Sequence, residues 1–298
     1  MSDIDDEGPR LAASLTATVL DEEASRQAAQ AERSEAVIFA DDLLPGVGSD
    51  EMEFREGLRK GGTYTFLVLL ALNSMDELEG AAINILGPDI AESLDVSDGT
   101  VTFISVASVA FFVLGAGPMG WLADRMRRGP IVGFASAAFA GFASLSGLAV
   151  NAFMLFWTRF FTGISKANTI TVHSTLLADA YPIGVRGRLY ATNAAVGRVF
   201  NAASPVLVGG IAVAVGGDDG WRWAFYLLGI PVAVAALAAF RLPEPPRGQW
   251  EKKDVLDGVV DEDDVPMSME AGFARIWHIR TMRSVIVAFS ALGFILFP

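Results

Sequence analysis

Apolar residues recur along the chain in blocks long enough to cross a bilayer, about 20 residues or more each. The blocks fall near 63–90, 100–122, 130–150, 152–178, 188–214 and 221–241, which predicts six spanning helices. A seventh apolar run follows Arg283 and reaches Pro298, short of the roughly 20 residues of a span, and predicts the start of a seventh helix over 283–298. Ahead of the first block, residues 51–60 alternate charge with Met52, Phe54 and Leu58, the pattern of an interfacial amphipathic segment over 51–62. The expected fold is all-α: a polytopic membrane protein with a six-helix bundle over 63–241 and a truncated seventh helix.

Composition agrees. Of 298 residues, 52% are hydrophobic and 19% charged, a balance unsuited to a soluble globular domain. The formal net charge of −13 argues against nucleic acid as a partner. The absence of cysteine removes disulfides, thiolate ligands and a cysteine nucleophile, and two histidines leave little for a metal centre, so neither metal nor cofactor is expected. The acidity is local: residues 1–50 hold twelve Asp and Glu against three Arg, and residues 244–264 hold eight against three. Residues 1–50 read as an acidic, disordered cytoplasmic tail, without the basic and apolar regions of a secretory signal.

Basic residues orient the helices. Arg55, Arg59, Lys60, Arg125, Arg127, Arg128, Arg186, Arg188, Arg241, Arg247, Lys252, Lys253, Arg275, Arg280 and Arg283 fall on one side of the predicted topology, and Arg222 on the other. By the positive-inside rule the N-terminus, the loops at 123–129 and 179–187 and the inter-bundle loop at 242–282 are cytoplasmic. A multi-pass protein of the plasma membrane is expected.

Gly120-Trp-Leu-Ala-Asp124-Arg125-Met-Arg-Arg128-Gly129, between the second and third blocks, resembles the G-x-L-A-D-R-x-G-R-R loop of the major facilitator superfamily, with Arg127 where that family usually has glycine. Arg159-x-x-x-Gly163, Asp179-Ala-Tyr-Pro182 with Arg186-Gly187-Arg188, the segment opening at Trp221-Arg222-Trp223, and Pro243-Glu244-Pro245 extend the resemblance over 62–298. Asn73-Ser-Met-Asp76 with Gly87-Pro88-Asp89-Ile90 is similar to the N-Y-x-D-R and P-D-I pattern of the Spinster-like branch, Glu77 standing at its arginine. The resemblance implies two six-helix bundles rocking about a midplane site, with Gly120, Asp124, Arg125 and Arg128 in a gating motif. Physically, a glycine lets helices approach, and the aspartate can cap a helix or pair with an arginine.

Ionisable side chains at mid-helix are costly in a bilayer and face a cavity or a partner. Asn73, Asp76, Glu77, Gly80 and Asn84 share one face of the first helix, with Glu79 close beside it. The fourth helix offers Arg159, Lys166 and His173 seven apart, and the fifth adds Arg198 and Asn201. In one reading Asp76, Glu77, Asn73 and Glu79 serve ion coupling while Arg159, Lys166, Arg198 and Asn201 line a substrate cavity. In the other the six charges are structural ion pairs. Glu79 is also placed to reach an interface, and His173 to pair with Asp179. Gly197, Ser204, Pro205, Gly209 and Gly210 form a small, kinkable face. Trp121, Trp221 and Trp223 read as interface anchors, with Trp157 deeper.

The sequence lacks the G-x-x-x-x-G-K-[ST] phosphate loop, H-E-x-x-H and G-x-S-x-G, so neither an ATP-driven pump nor an enzyme is expected. A secondary, proton-coupled transporter of a small molecule is the expected function, acting with the lipid bilayer, its substrate, and either a C-terminal bundle or a second copy. The alternative is a half-transporter scaffold or inactive fragment.

Overall fold

The computed structural model describes residues 52–250 and 268–296, and among these it is helical throughout, with no strand. The tail at 1–50, its junction at Glu51 and the acidic stretch 251–267 lie outside the described residues. Helix α1 spans Phe54–Gly61 and α2 Thr63–Ile85. Gly62, with φ +91°, makes the turn between them, a backbone shape that side-chain-bearing residues resist. The apolar residues Met52, Phe54 and Leu58 pack on the bundle core beside Phe66 and Val185, so α1 turns its apolar face to protein rather than to lipid. Tyr181 locks this joint: its hydroxyl donates to the Gly62 carbonyl at 2.7 Å.

The first predicted block divides into α2 and a short α3, Gly87–Ser93. Helix α4, Asp98–Arg125, begins at Ser97, whose Oγ accepts from the Thr100 N–H at 3.2 Å. Helix α5 covers Arg128–Ser146, and α6 covers Ala152–Lys166 behind an Asn151 cap. The fourth predicted span does not continue as one α-helix. After Lys166 the chain passes through a π-helical turn, Thr169–His173, into α7, Ser174–Ala180. The β-branched run Thr169-Ile-Thr-Val172 loses rotamer freedom in an α-helix, which favours the looser turn there.

Helix α8, Ile183–Ser204, also enters a π-helical turn, Pro205–Gly209, before α9, Gly210–Val215. Pro205 has no N–H for the Asn201 carbonyl, and the Ser204 hydroxyl donates to it instead at 2.6 Å. Helix α10 covers Gly220–Ala239. The segment after α10 carries a further helix α11, Met269–His278, leading into α12, Arg280–Leu296.

Four of the six predicted spans are continuous apolar helical stretches long enough to cross a membrane: 98–125, 128–146, 183–215, which includes the π-helical turn at Pro205, and 220–239. The first carries Asp76, Glu77 and Glu79, and the fourth is divided between α6 and α7. Helix α5 packs on α6 and α10, α4 on α6, and α2 on α8 and α10. Small residues bring α4 and α6 together, Gly163 against the Ser108 backbone and Gly115 against Ile164 and Ala167.

One apolar cluster gathers Phe66, Leu69, Val172, Leu176 and Val185, and a second gathers Ile83, Leu155, Phe225 and Leu228. Residues 73–77 of α2 fall between the stretches that join these clusters. Trp221 belongs to the second cluster and is 1% exposed, so it is a core residue rather than an interface anchor. Trp157 is exposed within a group of Phe153, Phe156, Phe160 and Phe161. Trp121 and Trp223 are exposed.

Candidate functional site

Periodicity along α2 turns its carboxylates toward α6 and α8. Glu79 is fully buried and paired with Arg159 Nη1. Arg159 also donates from Nε and Nη2 to Ser146 Oγ, at 3.0 and 2.6 Å, and its guanidinium lies 4.8 Å from the centre of the Phe225 ring. A buried guanidinium is tolerated only when charge and hydrogen bonds compensate it, and α2, α5 and α10 each contribute here. Glu79 is therefore a core carboxylate and does not reach an interface.

Two turns farther along α6, Lys166 Nζ lies 2.9 Å from Asp76 Oδ1 and 3.4 Å from Glu79 Oε2, and donates to the Asp76 carbonyl at 3.2 Å. The contact with Oδ1 is an ion pair without hydrogen-bond alignment, since that oxygen is buried with no aligned donor. Gly80 makes room for the ammonium: a Cβ there would lie 3.1 Å from Nζ. Glu77 faces α8, where Asn201 Nδ2 donates to its Oε2 at 3.1 Å and Arg198 lies 3.6 Å away with its side chain 76% exposed. Asn73 donates to the Asn193 carbonyl at 3.1 Å. Gly197 lies against Asn73 and Glu77. The structure thus brings all eight coupling and cavity residues into contacts between α2 and its neighbours, Asp76, Glu79, Arg159 and Lys166 on the α6 side and Asn73, Glu77, Arg198 and Asn201 on the α8 side.

His173, beyond the π-helical turn, is buried with neither ring nitrogen hydrogen-bonded among the described residues. It does not pair with Asp179, which belongs to a second charged cluster. There Arg128, only 2% exposed, holds Asp179 Oδ2 at 2.5 Å and Glu244 Oε1 at 2.7 Å, and donates to the Pro245 carbonyl at 3.0 Å. Glu244 Oε2 accepts from the backbone N–H of Arg128 and Gly129, so this distant carboxylate caps α5. Arg247 donates to the carbonyls of Ala123 and Asp124, and Asp179 Oδ1 accepts from the Gly248 N–H at 2.8 Å.

The cap expected of Asp124 thus belongs to Glu244, while Asp124 is exposed and offers its carbonyl. Arg125 stacks on Trp121, 4.1 Å from the ring centre. Gly120 meets no close neighbour, a Cβ there being 3.9 Å from Thr171. The close approach of α4 lies at Gly115 instead. Sequence spacing missed Ser146, Glu244 and Asp179 as partners because they meet the arginines only through tertiary contact, although Glu244 and Asp179 stand in the motifs quoted above.

A cavity of about 1260 Å³ lies elsewhere, between α4 near Trp121 and α11. Among the described residues no group of His, Cys, Asp and Glu is arranged to hold a metal ion.

A family model, Major Facilitator Superfamily, matches residues 67–298. Protein spinster homolog 1 of Bos taurus is 27% identical over 252 residues, 80% of this chain and 43% of that protein. Probable inositol transporter 2 of Arabidopsis thaliana is 25% identical over 247 residues, 75% of this chain and 40% of that protein. The chain therefore spans less than half the length of these curated relatives. Among solved structures, a bacterial homolog to human lysosomal transporter Spinster, inward-facing and occupied, aligns with TM-score 0.57 at 22% identity over 64% of this chain and 46% of that one. The proton:xylose symporter XylE aligns with TM-score 0.54 at 17% identity, over 67% and 49%. The shared fold and the match over residues 67–298 make this chain a multi-pass membrane protein belonging to the major facilitator superfamily.

Proposed function

We propose that the chain forms the N-terminal bundle of a secondary transporter that moves a small molecule by alternating access, coupled to protons through the carboxylates of α2. The observation that carries this reading is Lys166 shared between Asp76 and Glu79. Glu79 is already held by Arg159, whereas Asp76 depends on Lys166 alone among the described ion pairs. A proton on Asp76 removes that attraction and leaves the ammonium to Glu79. One protonation thereby changes the contact between α2 and α6, the kind of charge event that biases a two-state element. Arg198 and Asn201, on the exposed flank of Glu77, are proposed as substrate-facing groups, and Gly120, Asp124, Arg125 and Arg128 as part of the gate.

The excess of Lys and Arg on one set of loops supports a cytoplasmic N-terminus, and the plasma membrane is the proposed location. The test uses the natural full-length protein in proteoliposomes, an imposed inward proton gradient and an isotopically labelled whole-cell metabolite extract outside. At least one labelled compound should accumulate by mass spectrometry, a protonophore should prevent it, and Asp76→Asn should abolish gradient-driven accumulation. Accumulation of nothing, or accumulation indifferent to the protonophore, overturns the proposal.

A further inference from the structure

The cleft between α4 and α11 takes no part in the charged cluster of α2. Its walls are apolar, with Gly117 and Trp121 on α4 facing Phe273, Ile276 and Trp277 on α11. Helix α11 is amphipathic: Gly272, Phe273, Ile276 and Trp277 share one face, with Arg275 on its flank beside Gly272 and His278 opposite. That apolar face is uncovered, Phe273 being 69% and Trp277 54% exposed. Three residues after Trp277 the chain enters α12 at Arg280, so covalent continuity holds α11 beside an apolar helix.

The cleft carries Asp124, Glu270, Arg275 and His278, and the next turn adds Arg280 and Arg283. Arg275, Arg280 and Arg283 form no ion pair among the described residues, unlike Arg128, Arg159 and Lys166. An exposed apolar helix face flanked by cations that pair with no carboxylate among the described residues, beside a membrane helix, has the recognition chemistry of an anionic lipid surface.

We propose that α11 and the start of α12 form a binding site for an anionic phospholipid, its acyl chain filling the cleft against Gly117 and Trp121 and its headgroup held by Arg275, Arg280 and Arg283. The site depends on the chain's being embedded in a membrane and is separate from proton coupling.

The 298 residues hold no cysteine, and with any cysteine elsewhere in the full-length protein replaced by serine, one engineered thiol gives a unique label. Gly272 lines the cleft, and a Cβ there meets nothing within 4 Å, so Gly272→Cys leaves the packing intact. The full-length protein carrying a fluorophore at this thiol is placed in phosphatidylcholine nanodiscs containing equal mole fractions of brominated phosphatidylglycerol or brominated phosphatidylcholine. Brominated phosphatidylglycerol should quench more strongly. Each of Arg275→Gln, Arg280→Gln and Arg283→Gln should lower that preference roughly fivefold, the equivalent of about 1 kcal/mol per arginine at an anionic surface.

Gly117→Leu, at a position where a Cβ also meets open space, should fill the cleft and reduce quenching by both lipids. Equal quenching by the two lipids overturns the proposal. So does a label quenched by neither lipid, whether aqueous iodide reaches it, which means water covers the face, or does not, which means protein covers it.

Discussion

The ammonium of Lys166 stands 2.9 Å from a carboxylate oxygen of Asp76 and is the contact that ties this aspartate to α6. Glu79 on the same helix has Arg159 as well. Removing charge at the two carboxylates should therefore have different effects. Glu79→Gln leaves the buried Arg159 without a counter-charge and should cost about 3–5 kcal/mol, visible as a large loss of thermal stability in detergent. Asp76→Asn leaves Lys166 with Glu79 and should cost less stability while abolishing gradient-driven uptake. A protein destabilised more by Asp76→Asn would reverse the assignment of roles.

Helix contact at Gly163 sets a second expectation. A methyl group there would press on the Ser108 backbone, which cannot rotate away as a side chain does. Gly163→Ala should cost about 1–3 kcal/mol through overpacking. Gly141→Ala, where a Cβ meets nothing within 4 Å, is the matched control and should leave the melting temperature unchanged or raised.

At the motif-loop end, Asp179 and Glu244 share Arg128. Asp179→Asn and Glu244→Gln should each destabilise, and their combination should depart from additivity by about 0.5–3 kcal/mol. A double-mutant cycle on melting temperatures reads this coupling. Strict additivity would mean that the two carboxylates do not act through one guanidinium.

Burial pushes the Tyr181 hydroxyl up from its ordinary value of 10.0 to about 12. The unfolded chain gives up this proton near pH 10, while the folded chain keeps it until about 12. Stability from this group is thus intact below pH 10 and is lost as pH rises through that window. Tyr181→Phe should flatten the decline, and at neutral pH should cost about 0.5–1.5 kcal/mol for the hydrogen bond to Gly62. Equal alkaline sensitivity in both proteins would remove Tyr181 as its cause.

The apolar blocks made the helical class and the approximate spans legible, because length and hydrophobicity are local properties. The α2 carboxylates and the α6 cations were legible as groups for the same reason: helical spacing put each set on a face. Which charges paired was not legible, since that depends on how α2 and α6 are rotated against each other. Glu79 proved the most enclosed carboxylate of the three, although its spacing set it beside the main face. Trp221 misled because its place at the start of a span matches an anchor, while packing against Phe225 buries it. The cap on α5 was hidden furthest of all, since Glu244 reaches Arg128 from beyond α10.

Arg128 fastens three parts of the chain that sequence separates widely: the start of α5, the end of α7 at Asp179, and the segment following α10 at Glu244. Backbone continuity is then redundant at that end of the bundle. A polypeptide cut at the opposite end, between α5 and α6, would leave two fragments still clasped by this guanidinium and by the α5 contacts with α6 and α10. Co-expressed as separate pieces, they should reassemble and purify together.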